Sequence, residues 1–371
     1  MKINKHCFPN GLRLVHYEDT STQMVALNIV YDVGARDEHP EHTGFAHLFE
    51  HLMFGGSAHI PDYDTPLQLA GGENNAWTNN DITNYYLTVP KPNVETAFWL
   101  ESDRMLELAF SEQSLEVQRG VVMEEFKQRC LNQPYGDVGH LFRPLAFRVH
   151  PYRWPTIGKE LSHIEQATLD EVKSFFYCFY APNNAVLAVT GNISWDETVK
   201  LTEKWFAPIP RRDVPVRQLP QEPEQTQERR LTVERNVPLD TLFMGYHMCS
   251  REGADYYAFD ILSDILSNGR SSRLNRRLVQ EQNIFSGIDA YISGTRDAGL
   301  LQISGKPAAG VSLEQAEAAV RKELEELQQS PVDGQELEKV KNKFESTQIF
   351  GNINYLNVAT NLAWFELTGK A

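Results

Sequence analysis

The sequence predicts an α+β protein of two domains built on one plan. Three observations carry that reading. Strand-like and helix-like segments alternate along the chain. A proline-rich stretch interrupts them past the middle, and the same order of elements then starts again. The length of 371 residues suits two domains of ordinary size.

In the first half, "GLRLVHYE" and "MVALNIVYDVGA" read as strands, rich in β-branched and aromatic residues. "TGFAHLFEHLMFGG" reads as a helix stopped by Gly55-Gly56. "NYYLTVP" is a strand, "NVETAFWLESDRML" and "SLEVQRGVVMEEFKQRC" are helical, and "NNAVLAVTGNI" is an apolar strand. Prolines 208, 210, 215, 220 and 223 then sit among Arg, Gln and Glu, which predicts an exposed linker over 208–228. Beyond it "TLFMGYHM" and "GLLQISGKP" read as strands. "YYAFDILSDILS" reads as a helix, and "SLEQAEAAVRKELEELQQ" as another that opens on a Ser312/Gln315 capping box. The expected division is a domain over 1–207, the linker, and a second domain of the same fold over 229–371. The second is shorter by a helix and a strand, and has no His or Glu where the first carries "HLFEH".

Composition narrows the function. The net charge of −15 argues against nucleic acid as a partner; it serves solubility first, and would also favour cationic substrates by steering. No apolar run is long enough to span a membrane, and Met1 to Leu12 holds no signal-peptide core. Cys7, Cys130, Cys178 and Cys249 are scattered, with no Cys-x-x-Cys pair, so a cysteine-based zinc site is not expected and a reducing compartment, the cytoplasm, is.

The chemistry is concentrated in His47-Leu48-Phe49-Glu50-His51. Two histidines four apart on a helix share one face, close enough for both imidazoles to reach a single zinc ion. Glu50 directly precedes the second His, the inverted order H-x-x-E-H, and is placed to take a proton from an attacking water. A catalytic zinc needs a third protein ligand from another element. Glu124 and Glu125 are the strongest candidates, and because neighbours on a helix diverge by about 100° only one can face the metal. Spacing alone does not choose between them.

These blocks resemble the pitrilysin/insulinase family of inverse-zincin metallopeptidases, over almost the whole chain and most closely its short bacterial and mitochondrial-processing-peptidase-like branch. "VGARDEHPEHTGFAHLFEHLMFGGS", "GGENNAWTNNDITNYY", "GVVMEE", "HPYRWPTIG" and "YAPNNAVLAVTGNI" follow the family's order. The resemblance implies two homologous αβ domains, each a largely antiparallel sheet covered by helices, that form half of a clamshell. It implies one Zn²⁺ per chain on His47, His51 and Glu125, with Glu50 as general base, and an exposed edge strand in which Asn75 and Ala76 contact a peptide substrate.

Two positions depart from the family pattern. Gln118 stands seven residues before Glu125, where an acidic supporting residue is usual, so that Glu116 or Glu124 would have to compensate. Val279 and Ser286 stand where active members carry an Arg and a Tyr that hold the scissile carbonyl. Arg276, Arg277 and Tyr291 lie nearby but out of register. The implied protein is a zinc endopeptidase acting on peptides or unfolded segments, paired with a related subunit that brings the Arg and Tyr, or else a homodimer. The alternatives are a non-catalytic core-like assembly subunit and a protease dedicated to maturing one peptide.

Overall fold

The computed structural model describes residues 2–369. They form two compact units, one of residues up to 227 together with those from 351 onward, the other of residues 228–350. The fold is α+β, as expected.

The first unit carries strands β1 (Ile3–Cys7), β2 (Arg13–Glu18), β3 (Met24–Tyr31), β4 (Glu73–Thr78), β5 (Thr83–Pro90) and β6 (Ala185–Gly191). Its helices are α1 (Phe45–Leu52), α2 (Asp64–Leu69), α3 (Val94–Leu106), α4 (Glu112–Phe126), α5 (Val138–Ala146), α6 (Leu161–Glu165), α7 (Leu169–Phe179) and α8 (Trp195–Trp205). The strands make one sheet in the order β1-β2-β6-β3-β5-β4. Every pairing is antiparallel except β2 with β6.

The sheet is buried on both faces at its centre. Along β3, Val25, Leu27, Ile29 and Tyr31 enter the main core with α1, α3 and α7, whereas Ala26 and Val30 enter a second cluster. This period-two split explains why β3 and β6 read as nearly continuous apolar runs.

What fills that second cluster corrects the expected domain boundary. The last helix, α12 (Tyr355–Leu367), lays Val358, Ala359, Leu362, Ala363 and Trp364 over the back of β2, β3 and β6. Thr360 donates to Asn28 (3.1 Å), the Arg13 guanidinium donates to the Glu366 carbonyl (3.1 Å), and Lys5 pairs with Glu366 (2.8 Å). The segment from 351 onward was expected to belong with 229–350. It belongs to the first unit because that unit's sheet has a second apolar face to cover.

The segment expected as an exposed linker is mostly exposed, and it is also tied down. Residues 208–228 have no regular structure, but they are strapped to the first unit. The Arg212 guanidinium donates to the carbonyls of Tyr180 (2.7 Å), Met105 (3.2 Å) and Leu106 (2.7 Å). Arg217 bridges Asp32 and Asp37, and Glu222 accepts from the amides of Arg148, Val149 and His150. The charged residues that suggested solvent are the anchors.

The second unit holds β7 (Leu242–Met248), α9 (Tyr256–Ser267), β8 (Phe285–Ile292), β9 (Gly299–Pro307), α10 (Leu313–Gln329) and most of α11 (Gly334–Gly351). Its sheet runs β7-β9-β8, antiparallel throughout, the same order as β3-β5-β4 in the first unit. One face packs on Leu266, Leu274, Leu278, Ala316 and Val320. The Ser312/Gln315 capping box is present.

Candidate active site

The site is built on α1, whose eight residues sort by face. Phe45, Leu48, Phe49 and Leu52 follow the i, i+3, i+4, i+7 spacing and are buried in the main core. Phe49 stacks on Tyr180 (5.1 Å between centroids) and on Phe175 (5.2 Å). With that stripe pinned, His47, Glu50 and His51 share the flank beside α4 and β4.

Helix α4 delivers the third group. Ser111 caps it by accepting from the Ser114 amide (3.0 Å), and Leu115, Val122 and Phe126 bury its core face. Glu125 then lies with its Oε2 3.5 Å from His47 Nε2 and 3.3 Å from His51 Nε2. Glu124 points elsewhere: it is more than half exposed and faces Lys127 (3.8 Å) and Gln128 (3.4 Å). The choice that spacing left open thus falls on Glu125, and among the described residues the Glu124 carboxylate is not grouped with His47 and His51. Gln118, two turns before Glu125, has its amide close to Gly55 just beyond α1.

The donor set fits a zinc ion. One ligand atom from each of His47, His51 and Glu125 lies within 4.8 Å of the other two. Tetrahedral bonds of about 2.0–2.1 Å place neighbouring ligand atoms about 3.3–3.4 Å apart, close to the spacings to Glu125 found here. Burial lowers the pKa of His47 to about 4, so its imidazole is neutral and ready to ligate at neutral pH. The hydrogen bond from His51 and the guanidinium of Arg129 hold Glu125 below the usual carboxylate range. Burial pushes the Glu50 carboxyl up, and the Glu125 charge adds to the rise.

Arg129 was not foreseen. It sits in a π-helical turn, Lys127–Leu131, that continues α4, and its guanidinium is 2.9 Å from Glu125 Oε1, leaving Oε2 for the histidines. Its signal was present in the sequence as an i,i+4 acid–base pair. A usual outer partner is absent: His47 Nδ1 is buried with no hydrogen-bond partner among the described residues, whereas ligating histidines ordinarily donate from their second nitrogen.

The segment holding Asn75 and Ala76 is β4, an edge strand, as expected. The Ala76 amide donates to Asn75 Oδ1 (2.8 Å) and not to β5, so it lies on the open side of the strand. Antiparallel alternation puts the backbones of Asn74 and Thr78 on that side too. Ala76 packs towards the core beneath α1, whereas Trp77 packs against the cluster on the sheet's other face.

In the second unit Arg277 is committed to Glu323 (2.6 Å) and Glu326 (2.5 Å), Arg276 lies 3.7 Å from Glu281, and Val279 packs on that unit's core. Ser286 donates to the Lys306 carbonyl (3.1 Å), and Tyr291 is exposed on β8.

Residues 13–138 match the family described as Insulinase (Peptidase family M16), and residues 166–344 match the one described as Peptidase M16 inactive domain. The chain belongs to the pitrilysin/insulinase family of peptidases. The zinc protease PqqE of Helicobacter pylori is 29% identical over 338 residues, which is 90% of this chain and 76% of that protein. The uncharacterized zinc protease YmxG of Bacillus subtilis is 25% identical over 347 residues, 93% of this chain and 83% of that one. A crystal structure of a protease from Helicobacter pylori superposes with a TM-score of 0.92 at 27% identity, covering 99% of this chain and 90% of that one. The M16 inactive domain from Pseudomonas fluorescens superposes at 0.89, but at 16% identity it speaks for the fold alone. Within this pitrilysin-family chain the match described as Insulinase covers α1, β4 and α4, and so His47, His51 and Glu125. The match named for an inactive domain covers β7 to α10, where no cluster of metal-ligating side chains occurs among the described residues. Among those residues no helix is long and apolar enough to cross a membrane.

Proposed function

We propose that this chain is a zinc-dependent endopeptidase that cleaves peptides or unfolded polypeptide segments. The observation that carries the reading is the convergence of His47, His51 and Glu125 at ligand spacing, with Glu50 beside them on the same helix. One zinc ion per chain would be held by those three residues. Bound there, it would supply a Lewis acid that makes water acidic and polarises a peptide carbonyl. Glu50 accepts a proton from the attacking water at its carboxylate and passes it to the leaving amine. Its burial raises its proton affinity, which suits a group that must take up a proton and then release it.

The substrate adds as a strand along β4. The outward backbone groups of Asn74, Ala76 and Thr78 pair with an extended chain, beside the helix that carries Glu50. Asn75, whose carboxamide already occupies the Ala76 amide, turns to the incoming peptide. Neither Val279 nor Ser286 can polarise a carbonyl as an Arg and a Tyr would, and Arg277 is engaged by two glutamates. A related subunit therefore supplies that pair in a heterodimer. Four free cysteines support the cytoplasm as the compartment. The test of the mechanism is Glu50→Gln. It should retain zinc and lose at least about 100-fold in kcat, the usual loss for a general base. A variant that turns over normally would remove Glu50 from the reaction.

A further inference from the structure

We infer that Glu38 is a positioning residue of the metal centre: its carboxylate closes the first turn of α1 and so sets the place of His47. The inference rests on the zinc-site reading above. The helix begins at Gly44, which has φ +89°, where a side chain would be strained. A Cβ there would also come within 2.7 Å of Ile164 Cδ1 and 2.9 Å of the Ile157 carbonyl. Glycine is therefore required, and glycine brings no side chain to cap the helix. The amides of the first turn still need acceptors, because no residue of the helix itself can supply them.

Glu38 supplies them from outside the helix. One carboxylate oxygen accepts from the Gly44 amide and the other from the Ala46 amide, each at 2.9 Å. The residue is only 6% exposed, so both bonds are shielded from water. His47 is the next residue after Ala46, and the bond from the Leu48 amide to the Gly44 carbonyl (2.9 Å) closes the same turn. The cap is itself held in place. Glu38 follows a short 3₁₀ turn, Ala35–Asp37, whose Ala35 carbonyl accepts from Trp154 Nε1 (2.9 Å). Asp37 accepts from the Gly34 amide (2.9 Å) and is paired with Arg217 of the strap. Burial raises the Glu38 pKa, the two amides and the positive end of the helix pull it back down, and with both oxygens accepting an N–H the geometry favours the ionised carboxylate. An uncharged amide in its place keeps the volume but has a single acceptor oxygen, so one of the two amides would face an N–H group.

The experiment compares Glu38→Gln and Glu38→Ala with Ser312→Ala, which removes a cap of the second unit. Hydrogen exchange at the Leu48 and Phe49 amides is read in the metal-free proteins, and zinc affinity is read by chelator competition. We expect both Glu38 variants to speed exchange at those amides and to weaken zinc binding about tenfold or more, the scale of a lost support behind a ligand. Excess zinc should restore kcat to Glu38→Gln, and Ser312→Ala should change neither reading. Unchanged exchange and zinc affinity in both Glu38 variants would overturn the inference, even with lowered thermal stability. Failure of the wild type to bind zinc would overturn the metal-centre reading instead, and the exchange measurement would still decide whether Glu38 holds the turn.

Discussion

His47 couples the metal site to stability in a way that acid exposes. Its side chain is 9% exposed, and burial moves its pKa from 6.5 to about 4. Between those values the unfolded chain binds a proton that the folded, metal-free protein does not. Stability from this group is therefore complete above about pH 6.5 and falls as pH drops to about 4. At about 1.4 kcal/mol per pH unit the loss is about 3 kcal/mol. The buried Nδ1 has no partner among the described residues, so an apolar replacement also removes an unsatisfied group. In chelator, His47→Leu should be at least as stable as the wild type at pH 7.5. It should then escape most of that 3 kcal/mol on going to pH 4.5. Urea unfolding followed by tryptophan fluorescence, run on both proteins at each pH, isolates the effect because other titrating groups are common to both. Equal losses in the two proteins would refute the argument, and so would a wild type that gains stability as the pH falls.

Two further outcomes follow from the geometry. Ala76→Pro removes the outward N–H of the edge strand, a position that tolerates proline. It should raise KM for extended peptides about fivefold to tenfold, the worth of one hydrogen bond of about 1 kcal/mol, without altering zinc content. Trp364→Ala opens the packing of α12 on the back of the sheet and should cost about 3–5 kcal/mol. That cost should appear in the unfolding of the unit that carries the zinc ligands, measured by protease resistance of residues 24–31 and 185–191, and an unchanged pattern would return α12 to the second unit.

Much of the fold could be read from local pattern. Strands β2, β3, β5 and β6, the helix carrying His47 and the capping box at Ser312 lie where periodicity and turn residues place them, whereas β1 went unread and β4 was expected only from the family resemblance. The boundary near 350 could not be read, because an apolar helix such as α12 carries no mark of which sheet it covers. The only hint was the lack of polar alternation in β3 and β6, whose second faces need a cover. Arg212, Arg217 and Glu222 looked like solvated charges because their partners are 32 to 185 residues away in sequence. In the site, His47, Glu50 and His51 were legible from spacing. Glu125 was favoured over Glu124 only by family resemblance until the packing of α4 on α1 oriented it. Glu38 left no local signal, since it reaches a helix start six residues away across an irregular turn.

The central claim is that His47, His51 and Glu125 hold one zinc ion. The direct test is the zinc content of the purified chain after dialysis against trace metal, with Glu125→Gln and Glu124→Gln measured alongside. The account predicts one zinc per chain in the wild type and in Glu124→Gln, and a clear loss in Glu125→Gln. A wild type without zinc, or an equal loss in both variants, would contradict it.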